Sequence, residues 1–148
     1  MRENMGLYRG KRKDNGEWVE GGYIPLDVDS GYTYIIEPCN YASSLPVLDL
    51  IKLHSILVIP KTIGQFTGLT DKNGVRIFEG DIVRYAERRL GGEDVSVAFP
   101  VTFDEGGFCA HHYFLNNWLR NGLGGNTKLE DIEVIGNIHD NPELLQKI

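Results

Sequence analysis

Histidine and cysteine are the residue types in this chain that most often bind zinc, and a few of them lie close together. Cys109 stands two positions before the pair His111-His112. On a strand, Cys109 and His111 point to one face and His112 to the other, so at most two ligands converge locally. The other candidates are distant in sequence: Cys39, His54 and His139. Since no Cys-x-x-Cys motif is present, we expect reduced thiols and neither a bound metal nor a cofactor.

Acidic residues near expected turns form a second group that could do chemistry. The group consists of Asp71, Glu79, Asp81, Asp104 and Glu105. Paired carboxylates can act as general acid and base, or they can hold a divalent ion as in a nuclease. The chain has no Glu-x-Lys step of the nuclease type, no Gly-x-Ser-x-Gly motif and no phosphate-binding glycine-rich motif. We therefore predict no catalytic residue, and a metal-dependent nucleic-acid-processing enzyme that uses these turn carboxylates is the alternative.

Basic and aromatic residues near the N-terminus form the third candidate site. Residues 2–13 hold five basic side chains and one acidic one, whereas the rest of the chain holds ten basic and twenty acidic ones. Basic residues on a β-ribbon can contact phosphates, and an aromatic ring can stack on a base. A solvated edge strand protected against aggregation would show the same residues. We call the following residues the basic hairpin, and if they form a functional surface we expect weak binding to nucleic acid there: Arg9, Lys11, Arg12, Lys13 and Trp18.

Length and composition favour a small protein rich in β-structure. The chain has 148 residues, of which 41% are hydrophobic and 10% aromatic, together with 18 glycines and 6 prolines. This composition suits one turn-rich domain and neither a helical bundle nor a disordered tail. A net charge of −6 argues against a protein that coats nucleic acid by bulk electrostatics. Without an apolar leader or a membrane-length apolar run, we expect a cytoplasmic protein with no membrane partner.

Two Asn-Gly steps predict β-hairpins. Asn15-Gly16 and Asn73-Gly74 each stand between segments that carry the aromatic and β-branched residues of strands. Asn-Gly favours the type I′ turn, in which both central residues have positive φ. Glu79-Gly80-Asp81 predicts a further turn. We therefore assign structural roles in turns to Gly16, Gly74, Gly80 and Asp81.

Alternating apolar residues predict short strands between these turns. The predicted strands cover residues 7–11, 17–20, 63–69, 75–78, 82–85, 95–103, 108–114 and 132–138. A dense apolar run within residues 41–57 suits either a short helix or a buried strand, and we treat this stretch as a connecting segment. Brief helices are predicted at 114–120 and after Asn141-Pro142. The single domain is read as two lobes: an N-terminal β lobe with the connecting segment, residues 1–60, and a barrel-like lobe, residues 61–148.

Several segments resemble the YopX family of phage and prophage proteins. The most specific are residues 62–74, TIGQFTGLTDKNG, and residues 77–83, IFEGDIV. Supporting segments are residues 8–11, 16–19, 101–104 and 133–144. The resemblance therefore covers nearly the whole chain, and it is weakest between Gly21 and Pro60.

The resemblance implies a mainly β fold with small coiled and bifurcated sheets. To this we add an SH3-like, barrel-type C-terminal part and short helices. The resemblance also implies a small intracellular protein encoded by phages or prophages of Gram-positive bacteria, and it supplies no catalytic residue, cofactor or substrate. We therefore expect a noncatalytic accessory protein, a β-rich scaffold that binds a protein, a nucleic acid or copies of itself in the host cytoplasm. The partner would come from the phage or from the host.

Overall fold

The computed structural model describes residues 6–38, 45–87, 91–104, 106–111, 113–115 and 131–147. The strands in these residues are β1 (Tyr8–Lys11), β2 (Trp18–Asp27), β3 (Tyr32–Ile36), β4 (Ser55–Leu57), β5 (Gly64–Thr70), β6 (Arg76–Phe78), β7 (Asp81–Glu87), β8 (Val95–Asp104), β9 (Gly107–Ala110), β10 (Tyr113–Phe114) and β11 (Glu133–Asn137). The helical elements are α1 (Val47–His54) and two 3-10 helices, Pro60–Thr62 and Pro142–Lys147. The chain is mainly β, as the sequence predicts.

The strands form two antiparallel sheets. One has six strands in the order β4-β3-β2-β1-β5-β6, and the other has five in the order β10-β9-β8-β7-β11. Neither sheet closes into a barrel within the described residues, so the SH3-like detail stays unconfirmed. The chain divides into two compact units, Met1–Phe66 and Thr67–Ile148, and the division falls inside β5. No helix in the described part of the chain is both long and apolar enough to span a membrane.

In the N-terminal unit, β1 to β4 pack around a small apolar core. Its buried members are Val19, Ile35 and Val58. The end of β1 also meets the end of β4, because Arg12 and Val58 form an antiparallel bridge and the Lys13 N–H donates to the Leu57 carbonyl at 3.0 Å. This pairing curls the sheet and brings the turn of the basic hairpin next to β4.

The C-terminal unit has a core of its own. Its buried residues are Ile77, Val83, Tyr85, Val101, Ala110, Leu115 and Ile132. Strand β8 changes partner near its middle, since residues 95–100 pair with β7 and residues 101–104 pair with β9. Pro100 stands where the first ladder ends and the second begins, a position at which a missing backbone N–H costs little.

The Asn15-Gly16 and Asn73-Gly74 steps both lie in hairpin turns, but the predicted type I′ geometry is wrong. That geometry needs positive φ at the asparagine, and His111 is the one non-glycine residue of the described chain with positive φ. In the second turn the Gly74 N–H donates to the Asp71 carbonyl at 3.0 Å, and the Asp71 N–H donates to the Val75 carbonyl at 2.8 Å. With φ of +79°, Gly74 supplies the left-handed residue that closes this three-residue loop. Gly16, with φ of +73°, has the same role in a longer loop.

The connecting segment and the ends of the last strands also differ from the prediction. Within the connecting segment the chain forms α1, none of whose residues is buried, and then β4 at one edge of the six-stranded sheet. The predicted strand over 108–114 is interrupted by a turn at His111. Of the predicted helix over 114–120, Phe114 lies in β10 and Leu115 in the turn that follows, and residues 116–120 lie outside the described residues. The helix after Asn141 is present as a 3-10 helix.

Candidate functional site

Strands β1 and β2 bring the cations of the basic hairpin and its tryptophan together. The strand register pairs Lys11 with Trp18 and Arg9 with Glu20. Residues 9 and 11 point to the same face of β1. Both cations therefore reach the indole, with Arg9 Cζ 4.6 Å and Lys11 Nζ 5.6 Å from the ring centroid. Cation–π contacts at exposed sites are worth about 0.5–1 kcal/mol each, and a base that stacked on this half-buried ring would compete with them.

Arg12 and Lys13 lie in the turn of the basic hairpin. Arg12 forms an ion pair, whereas Lys13 is exposed to solvent. The Arg12 guanidinium donates to both oxygens of Asp14, at 2.9 and 2.8 Å. The hydrogen bond from Arg12 lowers the pKa of Asp14, and the same bond raises the pKa of Arg12. Lys13 is exposed, and its ammonium lies beside Gly31 in the next turn. Asp14 therefore competes with a phosphate for the Arg12 guanidinium.

The folded hairpin is close to electrically neutral. Residues 8–20 carry four basic side chains, those of the basic hairpin. They also carry three acidic ones: Asp14, Glu17 and Glu20. Because β2 runs beside β1, these carboxylates lie on the same ribbon as the cations. The count of basic residues over positions 2–13 therefore overstates the positive potential that a phosphate backbone would meet.

A second surface of the N-terminal unit was missed by the sequence reasoning. Strand β2 continues beyond its pairing with β1, and its outer part pairs with β3. The end of this β2–β3 hairpin exposes 71% of Leu26, 47% of Val28 and 55% of Tyr32. We call Leu26, Val28 and Tyr32 the hairpin tip. Exposed apolar patches commonly mark protein interaction sites, so the hairpin tip is a candidate surface of this kind.

The turn at the hairpin tip is held by local hydrogen bonds and is acidic. The Asp27 carboxylate accepts the Ser30 N–H at 3.1 Å, which lowers the pKa of Asp27, and Gly31 has φ of +80°. Asp27 and Asp29 flank the apolar side chain of Val28. Between residues 14 and 51 the sequence has seven acidic residues and no Lys or Arg. This charge asymmetry is the sequence signal that could have revealed the surface.

The carboxylate of Asp71 is bound by the protein's own backbone. Its Oδ1 accepts the N–H groups of Asn73 at 2.8 Å and Val75 at 2.9 Å, and its Oδ2 accepts the Val134 N–H at 2.9 Å. Burial by itself would raise the pKa of Asp71, but the three backbone donors outweigh burial and hold that pKa below its ordinary value. Asp71 thus fastens the turn between β5 and β6 to strand β11.

The other turn residues are also engaged in the fold. Asp81 is buried, and its Oδ2 accepts the Phe78 N–H at 2.7 Å. Gly80 has φ of +89°, and its N–H donates to the Val101 carbonyl at 2.8 Å. Glu79 lies in the same turn, Asp104 ends β8, and Glu105 lies outside the described residues.

The histidines and cysteines are not brought together where the structure describes them. Cys109 is buried in β9, and its Sγ makes long contacts to the carbonyl oxygens of Asp104 and Gly107, at 3.8 and 3.7 Å. His111 has φ of 60° in the following turn, so it does not share a strand face with Cys109 as predicted. His112 and Cys39 lie outside the described residues. Among the residues that are described, no three His, Cys, Asp or Glu side chains are grouped to hold a metal ion.

The fold and these contacts define a small β-rich protein whose buried acidic residues Asp71 and Asp81 serve its own turns. The YopX protein family model matches residues 7–146, and the chain belongs to that family. Among solved structures it is similar to the crystal structure of protein EF1440 from Enterococcus faecalis, with 27% identity and a TM-score of 0.48. That match covers 93% of this chain and 96% of the other. No curated protein matches the chain.

Proposed function

We propose that this YopX-family chain is a noncatalytic accessory protein of a phage or prophage, and that it binds a protein partner in the host cytoplasm through the hairpin tip. The observation that carries the proposal is the exposure of Leu26, Val28 and Tyr32 at the end of one hairpin, whose turn is held by the hydrogen bond from the Ser30 N–H to Asp27. A large apolar side chain at the end of a hairpin gains free energy by burial against another surface, about 25 cal/mol for each Å² removed from water.

The charge of the hairpin tip indicates the chemistry of the partner. Asp27 and Asp29 border its apolar side chains, and the Lys13 ammonium lies beside Gly31 in the same turn, which leaves these three charged groups with one net negative charge. An apolar surface bordered by lysine or arginine would complement the tip in both respects, and the charges would mainly set orientation and association rate. We therefore expect a protein partner, of phage or host origin, with a cationic rim around an apolar patch.

The double substitution Leu26→Ser with Val28→Ser is expected to weaken partner binding by tenfold or more, or about 1.4 kcal/mol. Immobilised protein would capture partners from a nuclease-treated lysate of host cells under phage induction, and binding of the purified partner would then be titrated. Val75→Ser is the matched control, since Val75 and Val28 are both 47% exposed and Val75 lies in the other unit. Binding that is equally strong in the double variant would contradict the proposal. Concentration-dependent self-association that the double variant abolishes would instead assign the tip to a second copy of the chain.

Nucleic-acid binding by the basic hairpin is the second candidate function, favoured by the convergence of Arg9 and Lys11 on Trp18. Because Arg12 is engaged by Asp14, we expect two or three phosphate contacts and a log–log salt slope of about −2 to −3 for duplex DNA.

Asp14→Asn is expected to release Arg12 and steepen that slope by about one, and Lys13→Ala to make it shallower by about one. The measurement is a titration of single-stranded and duplex oligonucleotides across a salt series. Lys61→Ala is the control, because Lys61 is exposed in the same unit and lies outside the basic hairpin. No binding at low salt would leave the hairpin as a solvated edge.

A metal-dependent enzyme was the alternative reading of the turn carboxylates, and the contacts of the described residues give it little support. Both oxygens of Asp71 accept hydrogen bonds from backbone N–H groups. Asp81 is buried, and one of its oxygens accepts a hydrogen bond from the Phe78 N–H. A carboxylate that accepts these backbone hydrogen bonds would have to break them before it could bind an ion or transfer a proton. The proposal therefore assigns no reaction to the chain.

A further inference from the structure

Two of the three Asn-Gly steps of this chain, Asn15-Gly16 and Asn73-Gly74, lie in turns that restrain the asparagine side chain to different degrees. The third, Asn121-Gly122, lies outside the described residues. We propose that Asn73 is a site of spontaneous covalent modification in the folded protein, by deamidation through a cyclic imide, and that the fold protects Asn15 from the same reaction. Both glycines have open space where a Cβ would stand, so steric access does not distinguish the two sites. The hydrogen bonds around the two asparagines do distinguish them.

The reaction is internal to the chain and needs only water. The backbone nitrogen of the glycine loses its proton and attacks Cγ of the preceding asparagine, which forms an N–Cγ bond and a five-membered imide. The Cγ–Nδ2 bond breaks, and Nδ2 leaves as ammonia with the proton that the glycine nitrogen lost. Water then opens the imide at one of its two carbonyl carbons, giving aspartate or isoaspartate at the asparagine position. No oxidant or reductant takes part.

The side chain of Asn15 is held at both ends of its amide. Its Oδ1 accepts the Glu17 N–H at 2.9 Å, and its Nδ2 donates to Glu17 Oε2 at 3.2 Å. The attacking nitrogen is also engaged, because the Gly16 N–H donates to the Arg12 carbonyl at 3.0 Å. Three hydrogen bonds must therefore break before Cγ can meet the glycine nitrogen.

The side chain of Asn73 has no such restraint. It is exposed, and its amide group makes no hydrogen bond with any described residue. The one bond that holds the attacking nitrogen is the turn bond from the Gly74 N–H to the Asp71 carbonyl, at 3.0 Å. With its side chain unrestrained and one bond on the attacking nitrogen, Asn73 is hindered less than Asn15, where three bonds hold the reacting groups.

Modification at Asn73 would act on the contacts of Asp71. The Asn73 and Val75 N–H groups both donate to Asp71 Oδ1. Isoaspartate adds a methylene group to the backbone between these two donors, and the new carboxylate adds a negative charge beside Asp71. Both changes weaken the link from this turn to Val134 in β11. Ageing of the protein is therefore expected to lower its thermal stability.

The experiment is incubation of the folded protein at mildly alkaline pH, followed by peptide mapping with mass spectrometry and detection of isoaspartate. We expect the peptide with Asn73 to convert several-fold faster than the peptide with Asn15, whereas in denaturant the two should convert at similar rates. Glu17→Ala should accelerate conversion at Asn15 and leave Asn73 unchanged. In Asn73→Gln the site should be inert, because glutamine would have to close a larger ring, and the loss of melting temperature with ageing should be smaller than in the wild type.

Two results would overturn the proposal. One is conversion of Asn15 as fast as Asn73 in the folded protein. The other is an Asn73 that converts in denaturant but not in the folded protein, since the turn bond to Asp71 would then be sufficient protection. Both readouts use the wild-type protein and do not depend on whether a variant folds.

Discussion

Gly21→Ala is expected to lower the free energy of unfolding of the N-terminal unit by at least about 3 kcal/mol. Gly21 is buried in β2, opposite Tyr8 of β1. A Cβ at this position would lie 1.9 Å from the carbonyl oxygen of Ile36 and 2.7 Å from its carbonyl carbon. Both are backbone atoms at the end of β3, so the contact cannot be relieved by a side-chain rotation. The β2–β3 pairing must shift or break.

Gly22→Ala is the matched control for this substitution. Gly22 is exposed, and its Cβ would meet no atom within 4 Å. Alanine there should change stability by less than about 1 kcal/mol. Urea unfolding followed by tryptophan fluorescence and circular dichroism would compare the two variants. Equal free energies of unfolding for the two variants would show that Gly21 does not approach the backbone of β3 as closely as the structure shows.

Asp71→Ala is expected to cost about 3 kcal/mol of stability at neutral pH. The substitution removes a charged acceptor from three backbone N–H groups, of which the Val134 N–H lies on β11 and the other two lie in the turn. Asp71→Asn should lose part of this stabilisation. The amide keeps one acceptor oxygen, but its NH2 group would face a backbone N–H, and two donors cannot form a hydrogen bond with each other. Urea unfolding at neutral pH measures both effects, and Asp94→Asn, at an exposed position of the same unit, is the control.

The effect of Asp71 should depend on pH in a defined direction. Its pKa is lowered in the folded protein relative to the ordinary 3.8, so its ionised form is favoured by folding. The stabilisation is therefore fully present above about pH 4 and is lost as the pH falls through the folded pKa. The difference in stability between wild type and Asp71→Ala should shrink over that acid range. A difference that stayed constant down to the acid limit would show that the ionised carboxylate is not what holds the turn.

The elements that the sequence predicted well are those with local signals. The hairpins around Gly16 and Gly74 were placed correctly, because a residue that tolerates positive φ between two alternating strands limits the chain to few conformations. The exact turn type was wrong, since Asn15 and Asn73 do not have positive φ. The number of residues in a hairpin loop depends on where the two strands begin to pair, and that register is set by packing along their full length.

The candidate site was predicted in part. The residues of the basic hairpin were identified, but their electrostatic setting depended on strand pairing, which places Glu20 opposite Arg9. The hairpin tip was missed, because a Leu or Val that is exposed cannot be told from a core residue by its type. Only the structure shows that the outer half of β2 extends beyond β1 and leaves these side chains without cover.

By itself, the sequence determined the mainly β class, the positions of the hairpins and the resemblance to the YopX family. The class and the hairpin positions follow from turn chemistry and from alternation over a few residues, which act through short-range backbone preferences. The resemblance rests instead on the particular residues of segments 62–74 and 77–83. Tertiary structure alone decided that Gly21 meets the backbone of Ile36, and that Asp71 binds an amide 63 positions away at Val134. Such contacts depend on which distant strands pack together, and the free energy of that packing is shared among many side chains of the core rather than carried by the residues in contact.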